Sequence, residues 1–407
     1  MTVADTTVVV TGLGATTPLG GDVPSTWAAM LAGESGITAI EEEWAAGLPV
    51  RIAARLRVDP AGVLDRVQAR RMDRCEQIAL IAAREAWADA GRPEVDPERL
   101  AVVVGTGTGG ALSMLGQDDV LETSGVRRVS PHTVPMLMAN GPAAWVSIEL
   151  GARGGAHTPV SACASGAEAI ALGLDLIRLG RADVVVAGGS EACIHPLPLA
   201  GFAQARVHST RNDAPRAASR PFDAARDGFV IGEGAALVVL ECAEFAAARA
   251  ARPYAQLAGA GLTSDAHHIT AAHPAGQVRA MRLALASAGL APTDVAQVHA
   301  HATATLRGDL TEAESVAEAI GRHPAVTATK SMTGHLFGAA GSLGAVTAVL
   351  ALRDRLLPAT RNLERLDPGV KLDVVTGATR EVAPGAALTN AFGFGGHNAS
   401  LLFAALS

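Results

Sequence analysis

The sequence predicts an α/β fold in which buried strands alternate with helices. Short aliphatic runs such as Leu100–Val104 and Val184–Ala187 lead into glycines. Continuous apolar runs of this length are typical of strands that are covered by helices on both faces. Between them, Cys75–Ala90 and Gly166–Leu179 carry apolar residues at helical spacing and stop at a following glycine. Strands and helices in alternation favour an α/β architecture over an all-α or all-β one.

Further elements continue this alternation along the chain. Thr7–Val10, Ala235–Leu240 and Leu401–Ala404 are predicted strands near its start, middle and end. Leu343–Leu352 also has apolar residues at helical spacing, but it has almost no polar face. A helix that is apolar all round is expected to lie inside the protein, so this segment is predicted to be an interior helix.

Composition and charge argue against several classes of protein. The chain has 407 residues, of which 49% are hydrophobic, and this is enough for a large buried core. Its formal net charge of -7 argues against a nucleic-acid partner, which would favour a basic excess. The longest uncharged apolar run, Leu336–Leu352, is shorter than the roughly 20 residues of a membrane span. The N-terminal residues show no signal-peptide pattern, so a soluble cytoplasmic protein is expected, with no membrane partner.

The four cysteines do not have the spacing of a metal site. Cys75, Cys163, Cys193 and Cys242 form no CxxC pair, and no Cys/His cluster has zinc-ligand spacing. No metal and no disulfide framework are therefore expected, and any cysteine with a function is expected to act as a free thiol.

The opening segment VVVTGLGATTPLG resembles a dinucleotide-binding loop only in part. The GxGxxG pattern requires a third glycine, and Thr17 stands at that position. Gly12 and Gly14 are therefore predicted to form a tight turn after the first strand, without a nucleotide.

Cys163 lies between a predicted strand and a predicted helix. The segment reads HTPVSACASGAEAI, in which Thr158–Ser161 is strand-like and the helical pattern begins directly after the cysteine. The N-terminus of a helix favours a thiolate and offers free N–H groups that can hold an oxyanion. A lone cysteine is about as often an inert core residue, so this segment alone leaves both interpretations open.

Three further segments place polar residues in loops that are rich in small residues. They read QVHAHATATLRGD over 297–309, TKSMTGHLFGAAG over 329–341 and NAFGFGGHN over 390–398. Lone histidines are more often structural than catalytic. His301 and His335 differ from the other histidines because each lies in such a loop at the end of an element.

Taken together, these segments resemble the β-ketoacyl-[acyl carrier protein] synthases of the thiolase superfamily, in the elongating synthase II branch and particularly its actinobacterial members. The resemblance covers essentially the whole chain and includes VSACASG, RPFDAARDGFVIGEG, HATAT, KSMTGH and NAFGFGGHN in order. It implies a thiolase fold of two pseudo-repeated halves in a layered α-β-α-β-α arrangement. An alanine-rich stretch near residues 243–253 is the predicted boundary. Residues 1–245 would then carry the nucleophile, and residues 246–407 the catalytic histidines.

The resemblance also implies roles for individual residues. Cys163 occupies the position of the acyl-accepting nucleophile, and His301 and His335 occupy those of the two catalytic histidines. Lys330 and Glu312 match the residues that order the histidine pair.

Further residues match the substrate-binding positions of the family. The backbone N–H groups of Cys163 and Phe392 would form the oxyanion hole, and Phe392 would also be the gate between the malonyl and acyl sites. Thr303 and Thr305 match the pair that holds the phosphopantetheine arm, and Thr108 and Thr270 are also predicted to bind substrate.

The implied reaction is a decarboxylative Claisen condensation. Malonyl-ACP would react with an acyl group held on Cys163, giving β-ketoacyl-ACP in fatty acid or fatty-acid-like polyketide elongation, without metal or organic cofactor. A cysteine hydrolase would not need two histidines and Lys330, and a non-catalytic chain-length factor usually lacks the cysteine. The catalytic subunit of a type II polyketide synthase, paired with a chain-length factor, remains open as an alternative.

Two kinds of protein partner are predicted. Arginines cluster at Arg66, Arg70, Arg71 and Arg74, and again at Arg206 and Arg211. Arg66, Arg70, Arg71 and Arg206 are predicted to dock the acidic acyl carrier protein, although arginines on a helix are often only a solvated face. A homodimer is expected from the resemblance, with a heterodimer with a chain-length factor as the alternative.

The sequence departs from the family pattern at three positions. Ala302 replaces the usual glycine after His301, which a tight loop accommodates if its φ is negative. Thr108 stands where a bulky aliphatic residue is common at the end of the acyl pocket, and His208 replaces a leucine. We expect Thr108 to leave room for long or stiff acyl chains, unless its hydroxyl is bonded to a loop carbonyl as in an ordinary turn.

Overall fold

The computed structural model describes residues 6–406. The strands are β1 (Val8–Thr16), β2 (Ile37–Ala39), β3 (Ile52–Ala54), β4 (Leu100–Gly105), β5 (Ala156–His157), β6 (Val184–Glu191), β7 (Gly234–Cys242), β8 (Ala255–Ser264), β9 (Val295–His299), β10 (Ala325–Thr327), β11 (Leu356–Leu357), β12 (Asp373–Val374), β13 (Arg380–Glu381), β14 (Ala386–Gly393) and β15 (His397–Ala404). The α-helices are α1 (Val23–Leu31), α2 (Arg66–Ala69), α3 (Arg74–Asp89), α4 (Ala111–Ser124), α5 (Thr133–Leu137), α6 (Gly141–Leu150), α7 (Ser165–Arg178), α8 (Pro196–Gln204), α9 (Ala243–Ala248), α10 (Pro274–Ala288), α11 (Leu306–Ala319), α12 (Lys330–Thr333) and α13 (Ala340–Asp354).

The main sheet repeats one strand order twice. On one side of the β1–β8 junction the order is β1, β7, β6, β4 and β5, and on the other side it is β8, β15, β14, β9 and β10, with β12 added at the edge. In each half the second strand in this order is antiparallel to both neighbours, and the remaining pairs are parallel. The α/β class and the pseudo-repeated halves of the prediction are therefore confirmed.

The junction between the two halves is narrow. Strands β1 and β8 pair only through Val9 with Gln256 and Val10 with Ala255. The segment predicted as a boundary, residues 243–253, forms α9 and the start of the loop to β8.

Helices lie outside and between the two half-sheets. Helices α3 and α6 cover one half on its outer face, and α10 packs on β8 and β15 of the other half. Helices α7 and α13 contact each other and strands of both halves. Every residue of α13 from Ala340 to Ala351 is buried, so the prediction of an interior helix is confirmed. Within the described residues, no helix is both long and apolar enough to cross a membrane.

Two predictions about strand ends are wrong. Strand β1 continues through Gly12 and Gly14, where a turn was predicted. A Cβ atom at Gly14 would lie 2.0 Å from the carbonyl oxygen of Ala82, so glycine is needed because the backbone of α3 packs directly on the strand. Residues Thr158–Ser161, predicted to be strand-like, are not a strand, and β5 comprises Ala156–His157 alone.

Candidate active site

Cys163 lies at the start of the first central helix. It belongs to a single 3-10 turn, Ala162–Ala164, which leads directly into α7. Its side chain is buried at the base of a cavity of about 680 Å³. The backbone of Gly393 approaches closely, since a Cβ atom there would lie 2.4 Å from the carbonyl oxygen of Ser161. The nucleophile is thus enclosed by the start of α7 and the end of β14.

His335 is the direct partner of the cysteine. Its Nε2 lies 3.0 Å from the Cys163 Sγ. The backbone of His335 is held from both sides, because its N–H donates to the carbonyl of Val230 and its carbonyl accepts from Gly232. The ring also meets Phe229 edge-on and lies against Phe337. These contacts orient the imidazole toward the sulfur.

His301 completes a group of three. Its ring centroid lies 5.4 Å from that of His335 with the rings nearly perpendicular, and one ligand atom each of Cys163, His301 and His335 lies within 4.8 Å of the others. A thiolate and two imidazoles are ligands that zinc accepts, so these are the described residues best able to hold a metal ion. They are equally the groups needed for nucleophilic and proton-transfer chemistry.

Lys330 and Glu312 hold the main chain of His301. The Lys330 ammonium donates to the His301 carbonyl. The Glu312 carboxylate accepts from the N–H of His301 at 2.8 Å and of Ala302 at 2.6 Å. The structure thus brings both residues to the histidines, as expected, and they act through the backbone of the loop. Ala302 does not have a positive φ, so its extra methyl group is accommodated.

Burial dominates the proton equilibria of the site. It raises the pKa of Cys163 to about 12, although the nearby Lys330 opposes the shift. Burial, reinforced by Lys330, lowers the pKa of His301 and His335 well below the usual range. The resting groups are therefore a thiol and two neutral imidazoles. The expectation that the helix start favours a thiolate is outweighed here by desolvation.

The tautomers of the two imidazoles are not imposed by the protein. Nδ1 of His301 and Nδ1 of His335 are buried and have no hydrogen-bond partner within the described residues. A neutral imidazole whose Nδ1 is not engaged can carry its proton on either nitrogen. Each ring can therefore accept a proton or donate a hydrogen bond at Nε2.

The remaining predicted substrate-binding residues line the same cavity. Phe392, Thr303, Thr305, Thr270 and Thr108 all contribute to its wall. The hydroxyl oxygens of Thr303 and Thr305 lie 3.2 Å apart. The Thr108 hydroxyl donates to the Glu191 carboxylate at 2.6 Å, so its partner is a side chain and not a loop carbonyl.

The residue that holds the threonine loop was not predicted. Arg226 is fully buried and donates to the carbonyls of Thr305 and Leu306. It also pairs with Asp367 at 2.7 Å. Arg226 lies in the quoted motif RPFDAARDGFVIGEG, but nothing in its spacing indicates a contact with a loop 79 residues later.

His208 is part of an aromatic cluster beside the cavity. Its ring stacks on Phe202 at 5.4 Å and meets Phe229 edge-on at 4.4 Å. Both ring nitrogens are buried and have no hydrogen-bond partner among residues 6–406, and burial lowers the pKa of His208 to about 3. His208 therefore packs as a neutral aromatic residue at a position where a leucine is usual.

The arginines of the two clusters divide into paired and unpaired residues, and the four predicted to dock the carrier are the unpaired ones. Arg74 forms a bidentate pair with Glu233, and Arg211 lies 3.6 Å from Asp227. The remaining four are exposed and form no ion pair with any described residue: Arg66, Arg70, Arg71 and Arg206. Of these, Arg206 lines the cavity itself.

Comparison with known proteins identifies relatives along nearly the whole chain. Residues 5–246 match the model of the β-ketoacyl synthase N-terminal domain, and residues 254–364 match that of the C-terminal domain. The chain is 46% identical to 3-oxoacyl-[acyl-carrier-protein] synthase 2 of Mycobacterium tuberculosis, over 97% of this chain and 96% of that protein. It is 43% identical to the protein of the same name from Synechocystis, over 97% of each chain.

Solved structures give the same result. The ishigamide ketosynthase/chain length factor superposes with a TM-score of 0.93 at 32% identity, covering 99% of this chain and all of that chain. A β-ketoacyl synthase from Burkholderia phymatum superposes with a TM-score of 0.92 at 35% identity and equal coverage. A type II polyketide ketosynthase bound to its acyl carrier protein, AntDE:AntF, superposes with a TM-score of 0.90 at 28% identity, again with 99% and 100% coverage. These neighbours share the thiolase-type fold.

Proposed function

Because the chain belongs to the β-ketoacyl synthase family, we propose that it condenses malonyl-ACP with an acyl group held on Cys163. The observation that carries the proposal is the 3.0 Å contact between the Cys163 Sγ and the His335 Nε2, with His301 beside it in one cavity. The product is a β-ketoacyl-ACP and the by-product is carbon dioxide. Cys163, His301 and His335 suffice for the steps below, so the proposal includes no metal or organic cofactor.

The first step is acyl transfer to the cysteine. The Cys163 thiol passes its proton to the neutral His335 Nε2 as sulfur attacks the acyl thioester. The N–H groups of Cys163 and Phe392 stabilise the tetrahedral oxyanion. The carrier thiolate then leaves and takes the proton from His335. A sulfur–carbon bond forms at Cys163, one breaks at the carrier, and the imidazole is neutral again.

The second step is decarboxylation and condensation. His335 ends the first step with its proton on Nδ1, and proton exchange with solvent converts it to the Nε2–H tautomer. His301 and His335 then donate hydrogen bonds from Nε2 to the thioester oxygen of malonyl-ACP, where negative charge develops as carbon dioxide leaves. The nearby Lys330 ammonium stabilises this charge further. The enolate carbon attacks the acyl carbonyl, and Cys163 leaves as a thiolate that is reprotonated from solvent. Thr303 and Thr305 would hold the pantetheine arm, since both line the cavity.

We further propose that the acyl carrier protein docks on the four unpaired arginines. Arg206 lines the cavity, and Arg66, Arg70 and Arg71 lie on or next to α2. Exposed guanidinium groups without acidic partners attract an acidic carrier over a distance of about one Debye length. The cavity volume of about 680 Å³ is within the range of small-molecule sites, so the carrier itself stays outside and only its arm enters.

A second copy of the chain is the proposed partner of the apolar face beside β5. Strand β5 is at the end of the main sheet and has one open edge. Helix α6 contacts β5, α5 contacts α6, and α4 contacts α5. The segment from α4 to the residues just after β5 exposes seven large apolar side chains: Met114, Leu121, Val126, Val134, Met138, Ile148 and Val160. Exposed apolar area of this extent and an open strand edge are typical of an interface. A homologous chain-length factor on the same face is the alternative outcome.

The pathway is the finer part of the proposal. The names of the relatives support chain elongation in fatty acid synthesis, and the polyketide ketosynthases among the structural neighbours favour a type II polyketide synthase as the second candidate. We place the reaction in the cytoplasm in either case. Intact-mass analysis of products from malonyl-ACP and a ladder of acyl-ACPs distinguishes them. A single β-keto extension of saturated acyl-ACPs by the chain alone supports the first, and successive β-keto extensions that need a co-expressed partner support the second. Absence of any condensation product would reject both.

A further inference from the structure

Glu191 is a buried carboxylate that the mechanism above does not use. It is the last residue of β6 and is fully buried. Its two oxygens accept five hydrogen bonds from two segments of the chain, residues 106–108 and Gly338. Oε1 accepts from the Thr106 hydroxyl at 3.2 Å and from the Thr108 amide and hydroxyl at 3.2 and 2.6 Å. Oε2 accepts from the Gly107 amide at 2.7 Å and the Gly338 amide at 3.0 Å.

All five donors are uncharged. No arginine, lysine or histidine of the described chain forms an ion pair with Glu191. A buried carboxylate without a cation is costly, and it persists only where donors satisfy both oxygens. An apolar residue would fill the space at lower cost, but it would leave the Gly107 and Gly338 amides without an acceptor.

The segments that Glu191 joins are the two walls of the catalytic cavity. Thr106–Thr108 is the turn after β4, and Gly107 and Thr108 line the cavity. Gly338 follows His335 by three residues and packs against the same turn, since a Cβ atom at Gly338 would lie 2.6 Å from the Gly107 nitrogen. Cys163 lies between these walls and contributes to the same cavity.

We propose that Glu191 is a positioning residue, which fixes the acyl-pocket turn against the segment that carries His335. In doing so it sets where the first carbons of an acyl chain lie relative to the imidazole. It also turns the Thr108 hydroxyl away from substrate, so the pocket presents an apolar surface there and selects a hydrocarbon chain. This inference rests on the proposed condensation, and its test includes a measurement on the variants that does not require the condensation reaction.

Glu191→Gln is the decisive variant. A glutamine has only one acceptor oxygen, so its NH2 group faces either the Gly107 and Gly338 amides or the Thr108 amide. In either orientation a backbone amide of the turn loses its acceptor, and the turn shifts. We expect the kcat of condensation to fall by about 100-fold, because a shift of about 1 Å has that effect on a positioned reaction, with the KM for malonyl-ACP nearly unchanged. The matched control is Glu85→Gln. Glu85, like Glu191, accepts only from uncharged donors, the backbone amides of Ala15 and Val23, and it does not line the cavity.

A second readout separates positioning from loss of structure. Cys163 faces Lys330, Glu191 and the two histidines, and the negative charge of Glu191 disfavours its thiolate. In Glu191→Gln, alkylation of Cys163 by iodoacetamide should therefore shift to lower pH while condensation falls. A damaged fold would slow both or expose every thiol alike. The alkylation measurement needs no acyl carrier protein, so it stands even if the proposed reaction fails.

The outcomes decide the proposal. A kcat of wild-type size in Glu191→Gln, or a loss that Glu85→Gln shares, would overturn it. If Glu191→Gln does not fold, Thr106→Val combined with Thr108→Val keeps the carboxylate and removes both hydroxyl donors. In that double variant, the fold-decrease in kcat should be larger than the fold-increase in KM. An unchanged kcat would overturn the proposal in the same way.

Discussion

The Cys163 sulfur and the His335 Nε2 are 3.0 Å apart although 172 residues separate them in the chain. One atom belongs to the half that begins with β1 and the other to the half that begins with β8. The contact forms because α7 and α13 lie between the half-sheets and pack on each other. The reactive pair is thus a product of the repeated architecture, and the first prediction tests it.

Replacing the nucleophile should separate the two steps of the reaction. Cys163→Ala should abolish acyl transfer, because Cys163 is the one described cysteine that is hydrogen-bonded to a histidine. Cys163→Gln should keep malonyl decarboxylation, since the histidines remain and an amide occupies the place of the acyl thioester. Carbon dioxide release and acyl-enzyme mass measure the two steps, with Cys242→Ser as the control at a distant thiol. Condensation by the alanine variant would reject the nucleophile.

Lys330 should impose an alkaline limit on decarboxylation. Burial lowers the pKa of Lys330 to about 8, from an ordinary value of 10.5. Above pH 8 the ammonium loses its proton and no longer stabilises the enolate, so the rate should fall. The sign for stability is opposite. Between pH 8 and 10.5 the folded state has released a proton that the unfolded state still binds, so this group makes unfolding less favourable as pH rises. The rate of carbon dioxide release, measured between pH 6 and 10, gives the pH at which decarboxylation falls. Lys330→Arg should raise that pH. If the rate of the arginine variant still falls near pH 8, the fall is due to the titration of another group.

Thr108 should limit acyl length in a graded way. Thr108→Phe adds bulk on the wall of the cavity and should reduce transfer of medium and long acyl chains while sparing acetyl and butyryl. Each methylene of lost room changes discrimination by about 1–3 kcal/mol. Acylation of Cys163 from a ladder of acyl-ACPs measures the profile. Thr108→Val is the matched control, because it removes the hydrogen bond to Glu191 without adding bulk. The same profile in the phenylalanine variant and the wild type would show that the pocket is bounded elsewhere.

Charge reversal should weaken carrier docking specifically. Arg70→Glu combined with Arg71→Glu should raise the KM for acyl-ACP, most strongly at low salt, because screening removes the attraction. The KM for a short pantetheine thioester should be the same in the variant and in the wild type. Arg181→Glu, at another exposed arginine that forms no ion pair with a described residue, serves as the control. Equal losses with the carrier and with the short thioester would exclude docking as the role of these arginines.

Solution size should distinguish the proposed partners. The purified chain is expected at twice the 41.2 kDa of one polypeptide, since a second copy would cover the apolar face beside β5. Val160→Glu, at an exposed apolar residue of this face, should shift the equilibrium toward monomer. If the purified wild-type chain is a monomer, or if it aggregates unless a homologue is co-expressed, the result would favour pairing with a chain-length factor instead.

Local motifs made the catalytic residues predictable. Cys163 precedes a helix of small residues, and His301 and His335 lie in short loops that follow buried elements, so composition and spacing indicate them. The resemblance then supplied their roles. Sequence could not reveal Arg226 or Glu191, because each acts on segments about 80 residues or more away. Such contacts have no spacing along the chain that distinguishes them.

The glycines of β1 and β6 are a second case in which sequence alone does not predict the structure. Glycine after an aliphatic run usually indicates a turn, yet Gly14 and Gly189 lie inside strands. Their role is set by what packs on them, the α3 backbone at Gly14 and the Gly338 carbonyl at Gly189. A close approach of two backbones depends on the tertiary fold, so residue preferences alone do not predict it.

Because the junction between β1 and β8 is narrow, catalytic activity should depend closely on how the two half-sheets are aligned. Only two residue pairs join the half-sheets there, while the nucleophile and its base come from opposite halves. Because α7 and α13 contact each other and strands of both halves, a loosening of their packing would move the Sγ and Nε2 apart while the hydrogen bonds within each half-sheet remain. On heating, turnover should therefore vanish at a temperature where the circular dichroism of the helices and strands is still that of the native protein.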